Sequence, residues 1–220
     1  MDVPFEPYYD QDGITIYNAD CRKVLESIDA GAFVTDPPYG IDWNTDYARF
    51  TNSMQSKPRT SQPKIANDKT DEMMRLALEY PVKERIVWGA HLSPWLVGSR
   101  GTWIVWDKRF DNGKAMLADG ELAWHSEGAT VCIHKHTWQG MIGNNSGRPM
   151  KRLHPNQKPV SLLSFCISRL KSGGLIVDPF MGSGTTLVAA KLAGRKAVGI
   201  EINEKYCEAA ANRLAQGVLF

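Results

Sequence analysis

The stretch LIVDPFMGSGTT, residues 175–186, decides the fold. Its apolar beginning predicts a strand that is buried on both faces of a sheet. Gly182 and Gly184 permit a tight turn and let a ligand approach the backbone closely. Residues 187–193 then predict a helix, and Gly194 marks its C-terminal end. The stretch therefore predicts a strand, a glycine-rich turn and a helix in succession.

A second strand follows this helix and indicates the kind of ligand that the turn would hold. Residues 197–200 are apolar and end in Glu201. The separation of Asp178 and Glu201 is close to the roughly 20-residue offset of the ribose-binding acid in nucleotide-binding βαβ units. The turn lacks the full G-x-G-x-x-G pattern and a P-loop lysine. An adenosine-containing cofactor other than a dinucleotide or ATP is therefore favoured.

The segment FVTDPPYG, residues 33–40, places an acid, two prolines and an aromatic residue after a short apolar strand. Pro37 and Pro38 fix the backbone and remove two N–H donors, which leaves carbonyl groups free to accept from a ligand. Asp36 adds a carboxylate acceptor, and Tyr39 supplies a flat face for stacking. Such a set suits a planar ligand with an amino group, such as a nucleobase. For this motif taken alone, a rigid turn without a ligand is the alternative.

Together the two segments resemble the amino-methyltransferases of DNA, which transfer a methyl group from S-adenosylmethionine to N6 of adenine or N4 of cytosine. DPPY at residues 36–39 looks like the catalytic motif of that family, and DPFMGSGT at residues 178–185 looks like its cofactor motif. The catalytic motif comes first, which is similar to the permuted β group of the family. YNAD at residues 17–20, ELAW at 121–124 and HPNQKP at 154–159 agree with that group.

The resemblance implies a Rossmann-like α/β methyltransferase fold, with a mostly parallel seven-stranded sheet, one antiparallel strand and helices on both faces. The alternation of strand and helix patterns favours the same class. Residues 1–220 are expected to form a single methyltransferase domain. A polar stretch at about residues 42–69 predicts a flexible loop, and about residues 135–153 would be a short target-recognition insert. Residues 121–124 and 129–134 look like a closing antiparallel pair.

The resemblance also assigns roles residue by residue. The catalytic residues would be Asp36, Pro37, Pro38 and Tyr39. The residues that contact the cofactor would be Asp20, Asp178, Pro179, Phe180, Gly182, Ser183, Gly184, Thr185, Glu201 and Lys158. Glu201 would accept hydrogen bonds from the ribose hydroxyls, and Asp20 would approach either the adenine amine or the methionine end. Lys158 would lie near the cofactor carboxylate, with a solvated lysine before a helix as the alternative. The reaction would yield S-adenosylhomocysteine and needs no metal.

Double-stranded DNA is the expected partner. Two irregular stretches carry cations that could pair with phosphates, although ordinary surface charge is the alternative for any one of them. The candidates are Arg59, Lys64, Arg148, Lys151 and Arg152. Because reading several base pairs needs several side chains in a groove, the short insert predicts a short or relaxed recognition sequence, or help from a second subunit. The protein would act as a monomer or a homodimer.

Composition limits the remaining classes. A net charge of +2 is too small to argue for nucleic acid by itself. No stretch approaches the ~18 apolar residues of a membrane-spanning helix, so no membrane association is expected. The four cysteines form no C-x-x-C pair, which favours reduced thiols in the cytoplasm of a bacterial or phage-infected cell and argues against structural zinc.

Three functions remain in competition. The leading one is an N6-adenine DNA methyltransferase, because aspartate rather than serine at the first catalytic position favours adenine in this family. An N4-cytosine enzyme is the second. The third is a catalytically silent DNA-binding protein of the same fold, against which stands the presence of both complete core motifs.

Overall fold

The protein folds as one mixed β-sheet with helices on both faces. Its strands are β1 Tyr9–Gln11, β2 Ile14–Asn18, β3 Ala32–Thr35, β4 Glu84–Trp88, β5 Thr102–Asp107, β6 Gly120–His125, β7 Cys132–Lys135, β8 Ile176–Asp178 and β9 Ala197–Glu201. Its α-helices are α1 Cys21–Leu25, α2 Glu72–Glu79, α3 Val160–Arg169, α4 Thr185–Leu192 and α5 Glu204–Ala215. The computed structural model describes residues 3–42, 66, 68–93, 96, 100–109, 113, 118–137 and 157–216.

The sheet order is β1-β2-β9-β8-β3-β4-β6-β5-β7. Strands β2, β9, β8, β3 and β4 run parallel to one another. Strand β6 is antiparallel to both β4 and β5, and β1 is antiparallel to β2. The predicted α/β class, with a mostly parallel sheet, is confirmed. The sheet of the described residues has nine strands, two of them antiparallel, where seven and one were predicted.

The predicted pairing of residues 121–124 with residues 129–134 is wrong. The first segment forms β6, which lies between β4 and β5 and pairs with both. The second overlaps β7 at residues 132–134, and β7 pairs with β5 in parallel at the edge of the sheet. An alternating apolar pattern shows that a strand is half-buried, but it does not identify the neighbouring strand. The prediction therefore paired two strands that are close in sequence, whereas β5 lies between them in the sheet.

Successive side chains of the central strands enter two different cores. Val34 and Ile176 pack in the cluster that includes residues of α3, α4 and α5, whereas Phe33 and Val177 pack in the cluster with α1 and Met73 of α2. Strands β3 and β8 are buried along their whole length, as expected for parallel strands that are covered on both faces. The described helices therefore cover both faces of the sheet, and the ends of its strands stay free of them.

The carboxyl ends of β3 and β8 lie side by side. Strand β3 pairs with β8 on one flank and with β4 on the other, all three in parallel. The chain leaves β3 at Asp36 and leaves β8 at Asp178. In open α/β sheets, ligands bind beyond the carboxyl ends of the strands where the strand order reverses. The two motifs found in the sequence therefore meet at one edge of the sheet.

Within the described part of the chain, no helix is long and apolar enough to cross a membrane.

Candidate active site

A buried hydrogen bond joins the two motifs. The hydroxyl of Thr35, the last residue of β3, donates to Oδ1 of Asp178 at 2.6 Å. The same oxygen accepts from the backbone N–H of Phe180 at 3.2 Å. Burial raises the pKa of Asp178 to about 6, and the hydrogen bonds from Thr186, Thr35 and Phe180 offset only part of that effect. The carboxyl group thus anchors the beginning of the glycine-rich loop to the strand that carries Asp36.

Tyr39 is held over the end of β4. Its hydroxyl donates to Oδ1 of Asp36 at 2.6 Å, and burial together with the Asp36 charge raises its pKa well above the usual range. The ring lies against Gly89, whose φ is +72°, and a Cβ at that position would overlap the ring. Gly89 was not predicted, although a glycine directly after a strand is a signal for a special backbone conformation.

The turn after Tyr39 is tied to the segment that precedes α2. The backbone N–H of Gly40 donates to Oδ1 of the buried Asp68 at 2.8 Å. The N–H of Asp42 donates to the carbonyl of Asp68 at 2.6 Å. Gly40 has a φ of +76°, and a Cβ there would lie 2.6 Å from the Thr70 carbonyl carbon. The DPPY segment is therefore fixed at both ends, which limits the positions open to Asp36 and Tyr39.

Lys158 lies at the Asp36 carboxylate. Its Nζ donates to Oδ2 of Asp36 at 2.5 Å and lies 3.4 Å from Oε2 of Glu121. The other Glu121 oxygen, Oε1, accepts from Nζ of Lys108. Only 7% of Lys158 is exposed, so the alternative of a solvated lysine is wrong. The predicted contact of Lys158 with the cofactor carboxylate stays a prediction.

The charges in this group stabilise one another. Burial lowers the pKa of Lys158, but the carboxylates of Asp36 and Glu121 more than offset it, and the pKa lies above its ordinary value. Burial raises the pKa of Glu121, but Lys158 and Lys108 outweigh it, and the pKa lies below its ordinary value. Both groups are therefore charged at neutral pH. Glu121 and Lys108 were not predicted as site residues, because nothing in their local sequence points to residue 158.

Glu201 holds the glycine-rich loop from the neighbouring strand. Its Oε2 accepts from the N–H of Gly182 at 3.1 Å, and its Oε1 accepts from the N–H of Asn203 at 2.8 Å. Burial raises its pKa, and these hydrogen bonds offset part of the rise. A carboxylate has about four acceptor positions. The acceptor positions that remain therefore suit a ligand with hydroxyl groups, such as the ribose of an adenosine-containing cofactor.

Helix α5 supplies a residue that contacts the glycine-rich loop, and sequence reasoning missed it. Nη1 of Arg213 donates to the carbonyl of Ser183 at 2.6 Å and to Oγ1 of Thr185 at 3.1 Å. Gly184 has a φ of +75°, and its missing side chain leaves room for Ala210, whose Cβ would be 2.6 Å from an added Cβ. The sequence-based prediction contained no helix after β9, so it offered no element that could carry Arg213.

The remaining cofactor candidates lie at the same edge. Asp20 begins α1, and its carboxylate accepts from the backbone N–H of Arg22 at 3.0 Å and from the guanidinium of that residue at 2.5 Å. These hydrogen bonds lower the pKa of Asp20. The preceding Ala19 donates its N–H to the carbonyl of Glu201 at 3.1 Å, which brings the YNAD segment beside the loop. Contact of Asp20 with a cofactor stays a prediction.

The prolines of the two motifs and Phe180 differ in burial. Pro37 and Pro179 are buried, whereas Pro38 and Phe180 are partly exposed. Phe180 also packs against two apolar clusters, on the side of α1 and α2. The side chains of Pro38 and Phe180 are therefore partly open to solvent.

The predicted DNA contacts lie outside the described residues. This holds for Arg59, Lys64, Arg148, Lys151 and Arg152, and for most of the predicted loop and insert. Among the residues that are described, no group of three or more histidine, cysteine or acidic side chains could hold a metal ion.

Comparison with known proteins decides the family. A family model described as DNA methylase, of the N6/N4 type, matches residues 57–212. The chain belongs to this family of DNA methylases. It is 26% identical to the Type II methyltransferase M2.LlaDCHI of Lactococcus lactis subsp. cremoris, over 98% of this chain and 94% of that protein. It is 27% identical to the Type II methyltransferase M2.DpnII of Streptococcus pneumoniae, over 95% and 92% respectively.

Solved structures of methylases share the fold. The M1.HpyAVI–SAM complex superposes with a TM-score of 0.59 and 22% identity, over 91% of this chain and 98% of that one. The cytosine-N4-specific PvuII DNA methyltransferase gives a TM-score of 0.66 and 16% identity, over 100% and 92%. At these identities the likeness supports the fold alone. Membership of the family makes the methylase an S-adenosylmethionine-dependent DNA amino-methyltransferase.

Proposed function

We propose that the methylase transfers the methyl group of S-adenosylmethionine to N6 of an adenine that has left the stack of double-stranded DNA. The observation that carries this proposal is the Thr35–Asp178 hydrogen bond of 2.6 Å. It ties the strand that ends at Asp36 to the glycine-rich loop, so an acceptor of amine protons and a candidate cofactor loop share one edge of the sheet. A short or relaxed recognition sequence belongs to the same proposal.

The reaction needs a better nucleophile than a free exocyclic amine, whose lone pair is delocalised into the ring. Hydrogen bonds from the amine to the Asp36 carboxylate and the Pro37 carbonyl would draw the nitrogen towards a tetrahedral shape and localise the lone pair. The N–C bond then forms as the S–C bond breaks, and the amine proton leaves to Asp36 or to water. Ordering the two reactants contributes on the order of 7–11 kcal/mol. Pro38 keeps the following backbone rigid.

When bound, S-adenosylmethionine supplies a methyl group that is already activated by a positively charged sulfur. The loop from Phe180 to Thr185 would lie along its amino-acid and ribose parts. Glu201 would accept from the ribose hydroxyls, and Asp20 would lie close to one end of the cofactor. Pro179 stiffens the entrance of the loop. Burial raises the pKa of Asp178 and that of Glu201, and a cationic ligand would lower both, because it favours the ionised form of a buried acid.

The target base must leave the duplex, because its amine is paired and out of reach inside the stack. Tyr39 would stack on the extruded base. Its ring is already held between Gly89 and Asp36, so little side-chain freedom remains to be lost when the base arrives. The phosphates would pair with cations of the two irregular stretches, including Arg59, Lys64, Arg148, Lys151 and Arg152.

The experiment that tests the proposal identifies the methylated nucleoside. The methylase is incubated with S-adenosylmethionine and unmethylated double-stranded DNA, and the digested nucleosides are analysed by mass. We expect N6-methyladenine, and no product from the Asp36→Ala variant. N4-methylcytosine would overturn the choice of base and keep the mechanism. Absence of any product while the cofactor still binds would favour the silent DNA-binding protein.

A further inference from the structure

Four alternating charges form a chain that begins at Asp36. Lys158 contacts Asp36 and Glu121, and Glu121 contacts Lys108. Lys158 lies just before α3, Glu121 lies in β6, and Lys108 follows β5. Three separate elements thus bring charged groups to the end of the DPPY strand. Neither sequence motif predicts this arrangement.

Burial makes the chain energetically demanding. Side chains of the four residues are 7% exposed for Lys158, 21% for Asp36, 33% for Glu121 and 14% for Lys108. A buried ammonium loses its hydration and is stable only where paired charges and hydrogen bonds replace the water. Lys158 also lies 5.3 Å from the centre of the Trp88 ring, which leaves it one well-defined place. Asp36, Glu121 and the Trp88 ring together fix the position of the Lys158 ammonium group.

The same contacts hold the Asp36 carboxylate from two directions. Oδ1 accepts from the Tyr39 hydroxyl at 2.6 Å, and Oδ2 accepts from Nζ of Lys158 at 2.5 Å. Each carboxylate oxygen has a second lone pair. A target amine can therefore bond to Asp36 while Tyr39 and Lys158 keep their contacts. The orientation of the carboxylate is set before the amine arrives, which is the condition for catalysis by positioning.

We propose that Lys158 is a positioning residue for methyl transfer, that it holds the Asp36 carboxylate for the target amine, and that Glu121 acts through it. This inference rests on the proposed function for the identity of the reaction, and it moves Lys158 from the cofactor side of the site to the acceptor side. Because both carboxylates keep Lys158 protonated, it does not take the amine proton, which leaves to Asp36 or to water.

The test separates catalysis from cofactor binding. Lys158→Met keeps most of the length of the side chain and removes its charge. We expect kcat to fall by about 100-fold, the size of effect that a small misplacement of a catalytic group produces, while the Kd for S-adenosylmethionine, measured by calorimetry, stays within about twofold. A Kd that rises about tenfold or more with an unchanged kcat would overturn the inference in favour of the cofactor carboxylate. An unchanged kcat and Kd would overturn it as well.

A double-mutant cycle tests whether Glu121 acts through Lys158. Glu121→Gln alone is expected to lower kcat less than Lys158→Met does. In the Lys158→Met background it should cause no further loss, because residues that act as a unit are not additive. Additive losses would contradict the second part of the inference. The double variant removes one cation and one anion and so leaves no unpaired charge from this pair. If Lys158→Met alone does not fold, kcat and Kd of the double variant are compared with those of the wild type instead.

Two controls keep the outcomes apart. Lys171→Met makes the same change at a lysine whose Nζ donates to the Glu127 carbonyl, next to the amino end of β8, and should leave kcat unchanged. The wild-type enzyme is assayed beside the variants with either methylated base as the readout. Absence of product from the wild type counts against the proposed function, whereas a weakened cofactor affinity in Lys158→Met counts against this inference whatever that product is.

Discussion

Asp178 shows how one buried carboxyl group joins the two halves of the site. It is only 3% exposed, and it accepts hydrogen bonds from Thr35 and from the loop it precedes. Burial of an acid without a cation beside it favours the protonated form, and the pKa accordingly rises to about 6. The fold therefore tolerates a costly group at the point where the cofactor loop begins.

The pH dependence of unfolding should reveal this cost. Because the folded-state pKa lies above the unfolded one, the folded protein binds more protons between about pH 4 and pH 6 and loses stability as the pH rises through that window. Asp178→Asn keeps an acceptor oxygen and does not titrate. Between pH 4 and pH 7, titration of Asp178 should lower the free energy of unfolding of the wild type by on the order of 3 kcal/mol, and the variant should not show this loss. Denaturant unfolding at several pH values measures the difference; a constant difference would contradict the prediction.

Gly89 should be intolerant of even a methyl group. Its φ is +72°, and an added Cβ would overlap the Tyr39 ring. Gly89→Ala is therefore expected to displace Tyr39 and to lower kcat by about 10-fold to 100-fold, with a backbone strain of about 1–3 kcal/mol. Gly173→Ala is the matched control, because nothing lies within 4 Å of a Cβ there. Steady-state kinetics of both variants check the prediction, and equal activity would contradict it.

Helix α5 serves the site although it contributes no residue to either motif. It begins at an Asn203 cap, whose side chain accepts from the N–H of Lys205, and it packs Cys207, Ala210 and Leu214 into the core. This packing fixes Arg213 beside the glycine-rich loop. A guanidinium can donate five hydrogen bonds in a rigid fork, so one side chain can hold a backbone carbonyl and a hydroxyl of the loop together.

Loss of Arg213 should weaken cofactor binding more than catalysis. Arg213→Met removes the hydrogen bonds to Ser183 and Thr185, and we expect the Kd for S-adenosylmethionine to rise by about tenfold, which corresponds to about 1.4 kcal/mol. The kcat at saturating cofactor should change less. Arg195→Met is the control, since that guanidinium also donates to backbone carbonyls, those of Ser172 and Gly174. An unchanged Kd for Arg213→Met would refute the role of the helix.

The carboxyl ends of the parallel strands carry the candidate site, and a buried hydrogen-bonded pair, Glu84 and His125, lies at the opposite ends. Glu84, the first residue of β4, accepts from His125 of β6 at 2.7 Å and from the backbone N–H groups of Lys171 and Ser172. Glu84 is 2% and His125 is 4% exposed. The pair thus ties two strands to the connection between α3 and β8, which stabilises the order of strands on which the site depends.

Breaking this pair should reduce stability and leave the site intact. Glu84→Gln leaves His125, Lys171 and Ser172 with a weaker acceptor, and loss of a buried hydrogen-bond partner costs about 1–3 kcal/mol. Burial raises the pKa of Glu84, but the hydrogen bonds and the His125 charge outweigh it, so the net shift is downward. Its contribution is therefore present at neutral pH and is lost as the pH falls below the ordinary pKa of a glutamate. Thermal unfolding measures the loss, and an altered cofactor Kd would contradict the separation of the pair from the site.

Elements whose residues follow one another directly in the chain could be predicted from the sequence. The strand, glycine-rich turn and helix of residues 175–193 follow one another without a long connection, so apolar periodicity and glycine positions were sufficient to find them. The same holds for β3 and its DPPY extension. Helix α5 and strand β1 escaped prediction, although Asn203 followed by Glu204 is a recognisable helix start. Family resemblance then supplied the expectation of a mostly parallel sheet.

The sequence by itself determined the α/β class, the two motifs and the position of Asp36 and Asp178 at strand ends, because these depend on residues that are neighbours in the chain. Only the tertiary structure decided that β6 lies between β4 and β5, that Lys158 is buried on Asp36, and that Arg213 holds the glycine-rich loop. Each of these contacts joins residues far apart in sequence. Strand pairing, ion pairs and side-chain hydrogen bonds stabilise them, and none of these interactions leaves a local pattern in the chain.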